Sequence, residues 1–238
     1  MKPIPILFHI GPLVIHTYGI GLAVTFAFAL YYGRRRFRDN GLPYLWLDGA
    51  FLWIVVASII GARIVHMVAN LSFYIHDPLQ IPAIWEGGLS SFGGLLGGIP
   101  TGVYLMKKRG GDVPLLRAMD VIAPVLMASW AVGRLLGPQL MYAGGGHPTT
   151  AWYGMEYAGQ VGKRIPVPIF QSIECFAILV LLFQVEKLAK RRGLPNGFVL
   201  AAMCALWGIS RFTDEYFWLA VPRVWDAVEV TGLVLSAV

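Results

Sequence analysis

Charge is what this sequence has least of. Only 13% of its 238 residues are Asp, Glu, Lys or Arg, whereas a soluble domain carries about 25%. With 57% hydrophobic residues and a mean hydropathy of +0.64, that scarcity excludes an ordinary soluble globular chain. Cysteine is scarce too. Cys175 and Cys204 are the two present, each inside an apolar segment with no neighbouring histidine. They lack metal-ligand spacing and read as small packing residues. No metal site and no cofactor is expected. No long polar stretch is present that could form a separate soluble domain, and there is no internal repeat or low-complexity tract. No ATP-site motif and no charged relay along the apolar segments is present, which argues against active transport. The N-terminus, MKPIPILFHIGPLVIH, is interrupted by prolines and lacks a small-residue cleavage site, so it does not read as a signal peptide.

What the chain does have is long apolar runs. A helix needs about 20 mainly apolar residues to cross a bilayer. Seven segments qualify, at roughly 14–33, 46–68, 89–106, 116–136, 168–186, 197–217 and 224–238. The expected fold is all-α: a single integral membrane domain over 1–238, with about seven transmembrane helices around a lipid-facing cavity.

The net charge of +6 does not imply nucleic acid, because the basic residues cluster between spans. GRRRFRDN comes after the first span, KKRGGD after the third and EKLAKRRG after the fifth. All three lie on one side of a seven-span arrangement. With Arg117, that side carries 12 of the 19 Lys and Arg residues. The positive-inside rule makes it cytoplasmic. The N-terminus is then outside and the C-terminus inside. The outer loops are 69–88, 137–167 and 218–223, rich in Trp, Tyr, Pro and Gly.

One outer segment, IWEGGLSSFGGLLGG at 84–98, holds three Gly-Gly pairs. In water each helical glycine would cost about 1 kcal/mol relative to alanine. In lipid, small residues let helix backbones touch. The block therefore reads as a loop turning into the third span and folded closely against its neighbours.

Charges inside the spans point further. Arg63 lies in IIGARIVHM, Arg134 in WAVGRLLGP, and Arg211 with Glu215 in GISRFTDEYF. An arginine at the bilayer centre costs about 2.5–3.5 kcal/mol on insertion scales, so such residues usually serve function. All three arginines lie toward the outer ends of their spans. Guanidinium forks suit phosphate, and the anion available at that depth is a phospholipid headgroup.

These stretches, in this order, resemble the prolipoprotein diacylglyceryl transferase family of the bacterial inner membrane. IGPLVIHTYGIGLA resembles the family's first span, with Tyr18 at its functional tyrosine. GARIVHMVAN resembles the family's second span, and IWEGGLSSFGGLLGG its glycine-rich block. MDVIAPVLMASWAVGR ends in the family's essential arginine, at Arg134. GGGHPTTAWYG resembles the family's outer loop after the fourth span. RFTDEYF places the second essential arginine at Arg211 and the glutamate at Glu215. The likeness runs from about residue 10 to about 220. It implies transfer of a diacylglyceryl group from phosphatidylglycerol to the lipobox cysteine of a prolipoprotein, with release of glycerol phosphate and formation of a thioether. The implied partners are phosphatidylglycerol, the prolipoprotein signal peptide and membrane lipid. On this resemblance Arg134, Arg211, Glu215 and Tyr18 are the expected catalytic residues. Arg63, Glu86, Gly93, Gly94 and His147 are the expected substrate-binding ones.

The chain departs from the family pattern at several polar positions. A histidine precedes Gly-Gly-Leu in the family; here it is Phe92. The family has an asparagine motif after the span-four arginine; here Gly137, Pro138 and Gln139 come after Arg134. The pattern His-Pro-x-Gln-Leu-Tyr-Glu at span five retains Pro166 but has Ile165, Phe170 and Gln171. Glu86 and His147 are the candidate replacement bases, Glu86 because a carboxylate against glycine backbone can have a raised pKa. Ser90 and Ser91 are poor bases. His66, one turn after Arg63, reads as a packed histidine. Three functions remain open at this point: a divergent transferase, a non-catalytic paralogue that binds phospholipid or another membrane protein, and a small lipid transporter.

Overall fold

The computed structural model describes the backbone at residues 6–10, 13–82, 88–136, 144–214 and 218, with side chains there apart from residues 6–16, 18, 91 and 92. The chain is mostly helical. An antiparallel pair, β1 (Ile6–Ile10) and β2 (Leu13–His16), leads into α1 (Thr17–Asp39). Next come α2 (Trp46–Ala69), the short α3 (Leu71–His76), a 3-10 turn at Pro78–Gln80, and α4 (Ser91–Arg109). After these are α5 (Leu115–Leu136), a two-residue hairpin of β3 (Met155–Glu156) and β4 (Lys163–Arg164), α6 (Val167–Arg192) and α7 (Phe198–Thr213).

Among the described residues α2, α5 and α6 are long and apolar enough to cross a membrane, and α7 is apolar but shorter. The segments expected as spans at 14–33 and 89–106 are helical for the most part, as α1 and α4. The first begins later than its apolar run, because residues 14–16 pair with β1 and the helix starts at Thr17. The seventh, 224–238, lies outside the described residues.

Two compact units make up the chain, one of residues 1–36 with 116–238 and the other of residues 37–115. In the first unit α5, α6 and α7 share a core of Ala123, Met127, Ile178, Leu182, Val199 and Met203. Alanine on α5 lets the larger α6 side chains in: Ala123, Ala128 and Ala131 are all buried. Cys175 is buried as well, and Cys204 packs against this core. Ser172 Oγ donates across to the Ala131 carbonyl at 2.9 Å. On α1, Arg36 meets Glu186 of α6 at 2.8 Å, and Lys190 meets the same carboxylate at 2.9 Å.

The start of α7 is held by another helix. Gly197 N and Leu200 N donate to Asp120 Oδ2 and Oδ1 of α5, at 2.7 and 2.8 Å. Helix N-termini leave unpaired N–H groups and a partial positive charge, and a carboxylate answers both. Asp120→Ala is expected to cost about 0.5–2 kcal/mol, read as a lowered unfolding midpoint in detergent. An unchanged midpoint would refute the cap.

In the second unit α2 and α4 pack backbone against backbone. A Cβ on Gly61 would stand 2.3 Å from the Gly93 carbonyl oxygen, one on Gly93 2.2 Å from that of Gly61, and one on Gly97 2.1 Å from that of Ala57. The glycine block is therefore a contact surface in which these positions admit no side chain.

Candidate active site

Arg134 and Arg211 come from the ends of α5 and α7, within the first unit. Arg134 lies with its guanidinium carbon 5.4 Å from the centre of the Trp130 ring, one turn back on its own helix. Trp130 in turn packs edge-on against Trp207 of α7, with ring centres 5.6 Å apart. Arg134 is thus placed by a stack that joins α5 to α7.

Arg211 faces a carboxylate that the motifs alone do not point to. Its Nη1 is 3.5 Å from Oδ2 of Asp214, three residues on. Asp214 is only 1% exposed. Gln171 of α6, itself buried, donates from Nε2 to the same Oδ2 at 2.8 Å. Asp214 Oδ1 has no hydrogen-bond partner among the described residues. One turn toward the N-terminus of α7, Ser210 Oγ donates to Glu174 Oε2 of α6. Arg134, Arg211 and Glu174 all lie close enough to act electrostatically on Asp214. The two arginines therefore share one charged neighbourhood. Asp214 is the buried one of these groups, and a buried charge persists only when paired.

The loop after α5 is built on the glycines of GGGHPTT. Gly145 exchanges two hydrogen bonds with the Gln160 side chain, at 2.9 and 3.1 Å. A Cβ on Gly146 would stand 2.1 Å from the Trp218 carbonyl oxygen. His147 donates its N–H to that carbonyl at 3.1 Å, and its own carbonyl accepts from Ile165 N at 3.0 Å. Its backbone is pinned between the chain beyond α7 and the start of α6, and its side chain is half-buried. Tyr157, in the same loop, is 3% exposed. Burial pushes its phenol up to about 12, so it stays neutral throughout the physiological range.

The remaining expected residues fall elsewhere. Tyr18 is the second residue of α1, and its side chain is outside what is described. Glu86 and Glu215 lie outside the described residues, as do Gly137, Pro138 and Gln139. Gly93 and Gly94 sit in the first turn of α4 in the second unit, which also holds Arg63 on α2. Arg63 donates to three backbone carbonyls.

Asp214, Gln171, Glu174 and Ser210 are candidate site residues that sequence reasoning missed. A signal was available. Gln171 and Glu174 are three residues apart, on one face of an otherwise apolar stretch. Asp214 has the same spacing from Arg211.

Comparison with known proteins identifies the family. The family model described as prolipoprotein diacylglyceryl transferase matches residues 5–236. A Brucella anthropi protein named phosphatidylglycerol--prolipoprotein diacylglyceryl transferase is 29% identical over 226 residues, covering 90% of this chain and 78% of its own length. Proteins of the same name from Brucella canis and Brucella abortus are 30% identical with the same coverage. A match that runs through every described helix and both site arginines is a match of the whole architecture, and the chain belongs to the prolipoprotein diacylglyceryl transferase family.

Proposed function

We propose that this membrane protein transfers a diacylglyceryl group from phosphatidylglycerol to the lipobox cysteine of prolipoproteins. The observation that carries the reading is the family match over residues 5–236, in a chain whose relatives bear that activity in their names and whose Arg211 stands beside buried Asp214. The cysteine thiolate is the nucleophile. It attacks the glycerol carbon, a C–S bond forms and the C–O bond to phosphate breaks. The electron pair leaves on glycerol phosphate, and the thiol proton goes to the base. Arg134 and Arg211 hold the phosphate and stabilise the charge that grows on it. Glu215, four residues after Arg211 in the sequence, is proposed as a further catalytic residue. Tyr18 is proposed as a further catalytic residue, and Gly93, Gly94, His147 and Glu86 as substrate-binding ones. The prolipoprotein is held by its signal peptide. The protein is one integral domain over 1–238 in the bacterial inner membrane, with its N-terminus outside and its C-terminus inside.

Complementation tests the activity. Expressed in a strain depleted of its own transferase, the chain should restore lipoprotein processing. Absence of processing and of thioether formation in vitro would leave a lipid-binding paralogue. For the base, Glu86→Gln or His147→Ala should lower the rate by about 10²–10⁴-fold, while Phe92→His should change it little. Wild-type rates in both of the first two variants would refute a relocated base. For orientation, a cysteine at exposed Trp152 should react with an impermeant reagent in intact cells and one at Arg192 should not. The reverse pattern would overturn the topology.

A further inference from the structure

In the second unit three carbonyls converge on one guanidinium. Arg63 Nε donates to the Ile81 carbonyl at 3.0 Å and Nη1 to that of Gly88 at 3.1 Å, and Nη2 donates to that of Gln80. Arg63 is 8% exposed. Its guanidinium carbon lies 5.1 Å from the centre of the Tyr74 ring, and Tyr74 is itself buried. His66, one turn on, meets the same ring edge-on at 6.0 Å. Gly88 has φ +73°, and a Cβ there would stand 2.7 Å from Arg63 Nη1 and 2.8 Å from His66 Nε2. Two residues later, Ser90 N donates to the Ala62 carbonyl of α2 at 3.0 Å, and Gly94 N to Ser90 O at 3.1 Å. The chain is thus fastened to α2 at Gln80–Ile81, at Gly88 and at Ser90, just before the glycine contact with α4.

We infer that Arg63 is a positioning residue for the transfer reaction, fixing the backbone of 88–94 on α2 rather than holding the phosphate itself. This rests on the transferase reading, in which Gly93 and Gly94 are substrate-binding positions. The fork has three separated nitrogens, and each meets a different carbonyl. Three of its five N–H groups are committed to backbone carbonyls, and carbonyls left unpaired at membrane depth are costly. Lysine, with one nitrogen, keeps the charge but cannot span the three acceptors. The role therefore belongs to the fork's shape. Its effect passes through the chain that starts α4, where a shift of about 1 Å in a reacting group's support can cost about 10²-fold in rate.

Arg63→Lys and Gly88→Ala act on the two sides of one contact. With full-length protein in detergent, phosphatidylglycerol and a lipobox peptide, each should lower kcat by about 10- to 100-fold. KM for phosphatidylglycerol should stay within about threefold, and the double variant should be no slower than the slower single one. Amide exchange over 88–94 should be faster in Arg63→Lys than in wild type. A raised KM with kcat near wild type, multiplicative effects in the double variant, or unchanged exchange would each overturn the inference. If wild type does not turn over, the transferase reading fails by itself, and the exchange measurement still decides whether Arg63 orders this segment. If Arg63→Lys does not accumulate, Tyr74→Leu removes the ring beneath the guanidinium, and it should speed the same exchange. No change there would also overturn the inference.

Discussion

Arg211→Lys should lower kcat/KM for diacylglyceryl transfer by about 10²–10³-fold, equivalent to about 2.7–4 kcal/mol of transition-state stabilisation. The side chain of Arg211 is 13% exposed and faces Asp214, which Gln171 holds from α6. A guanidinium held beside a carboxylate in this way has a set orientation. It can therefore meet the phosphate oxygens as the C–O bond breaks without first reorganising. Lysine at 211 keeps one positive charge but loses the planar fork. Arg134→Lys should act in the same sense, with a further loss, because the flat guanidinium face on Trp130 has no counterpart in an ammonium group. The measurement is transfer of labelled lipid from phosphatidylglycerol vesicles to a lipobox peptide. Rates within about threefold of wild type for both lysine variants would remove the arginines from the chemistry.

The second large effect is on stability. Gly97→Ala should destabilise the protein by about 1–3 kcal/mol, and Gly97→Leu should prevent its accumulation. A Cβ at Gly97 would stand 2.1 Å from the carbonyl oxygen of Ala57. That atom belongs to helix backbone and cannot swing aside, so α2 and α4 would have to separate. Gly102 supplies the control. It lies on the same helix, but its Cβ would meet only the Ile54 side chain, at 3.5 and 3.9 Å. Gly102→Ala should therefore be neutral, or stabilising by up to about 1 kcal/mol through helix propensity. Thermal unfolding in detergent with a fluorescent thiol or tryptophan readout separates the two. Equal midpoints for Gly97→Ala and Gly102→Ala would refute backbone contact as the reason for the glycines.

The helices were readable because lipid imposes a simple rule: apolar runs of fixed length, separated by basic turns. Arg134 and Arg211 were readable because a charge in such a run needs a reason. The glycine block was readable as close packing, and Gly61, Gly93 and Gly97 bear that out. What escaped was pairing. Gln171 stood out only as a departure from a family pattern, yet it donates to Asp214. Nothing local to either residue names the other, since the bond is made across two helices. Arg63 shows the same limit from another side. Its acceptors are backbone carbonyls, and these have no sequence signature at all. The strand at residues 14–16 was hidden because its apolar residues suit either a helix or a ladder. Glu86, Glu215 and the seventh span lie outside the described residues.

The Asp120 cap also determines the length of α7 that the site can tolerate. It anchors the helix at Gly197 and Leu200, while Arg211 stands 14 residues beyond Gly197, or about 21 Å along the axis. Both ends are referred to α5, through Asp120 at one end and through the Trp130–Trp207 contact toward the other. The helix therefore serves as a ruler with a fixed zero. Inserting one residue between Leu200 and Trp207 would carry Arg211 and Asp214 about 1.5 Å onward and turn them by about 100°, which breaks the Gln171–Asp214 bond to α6. Natural length variation in this protein should accordingly be absent from α7 and collect in the turn before it, between Arg192 and Gly197.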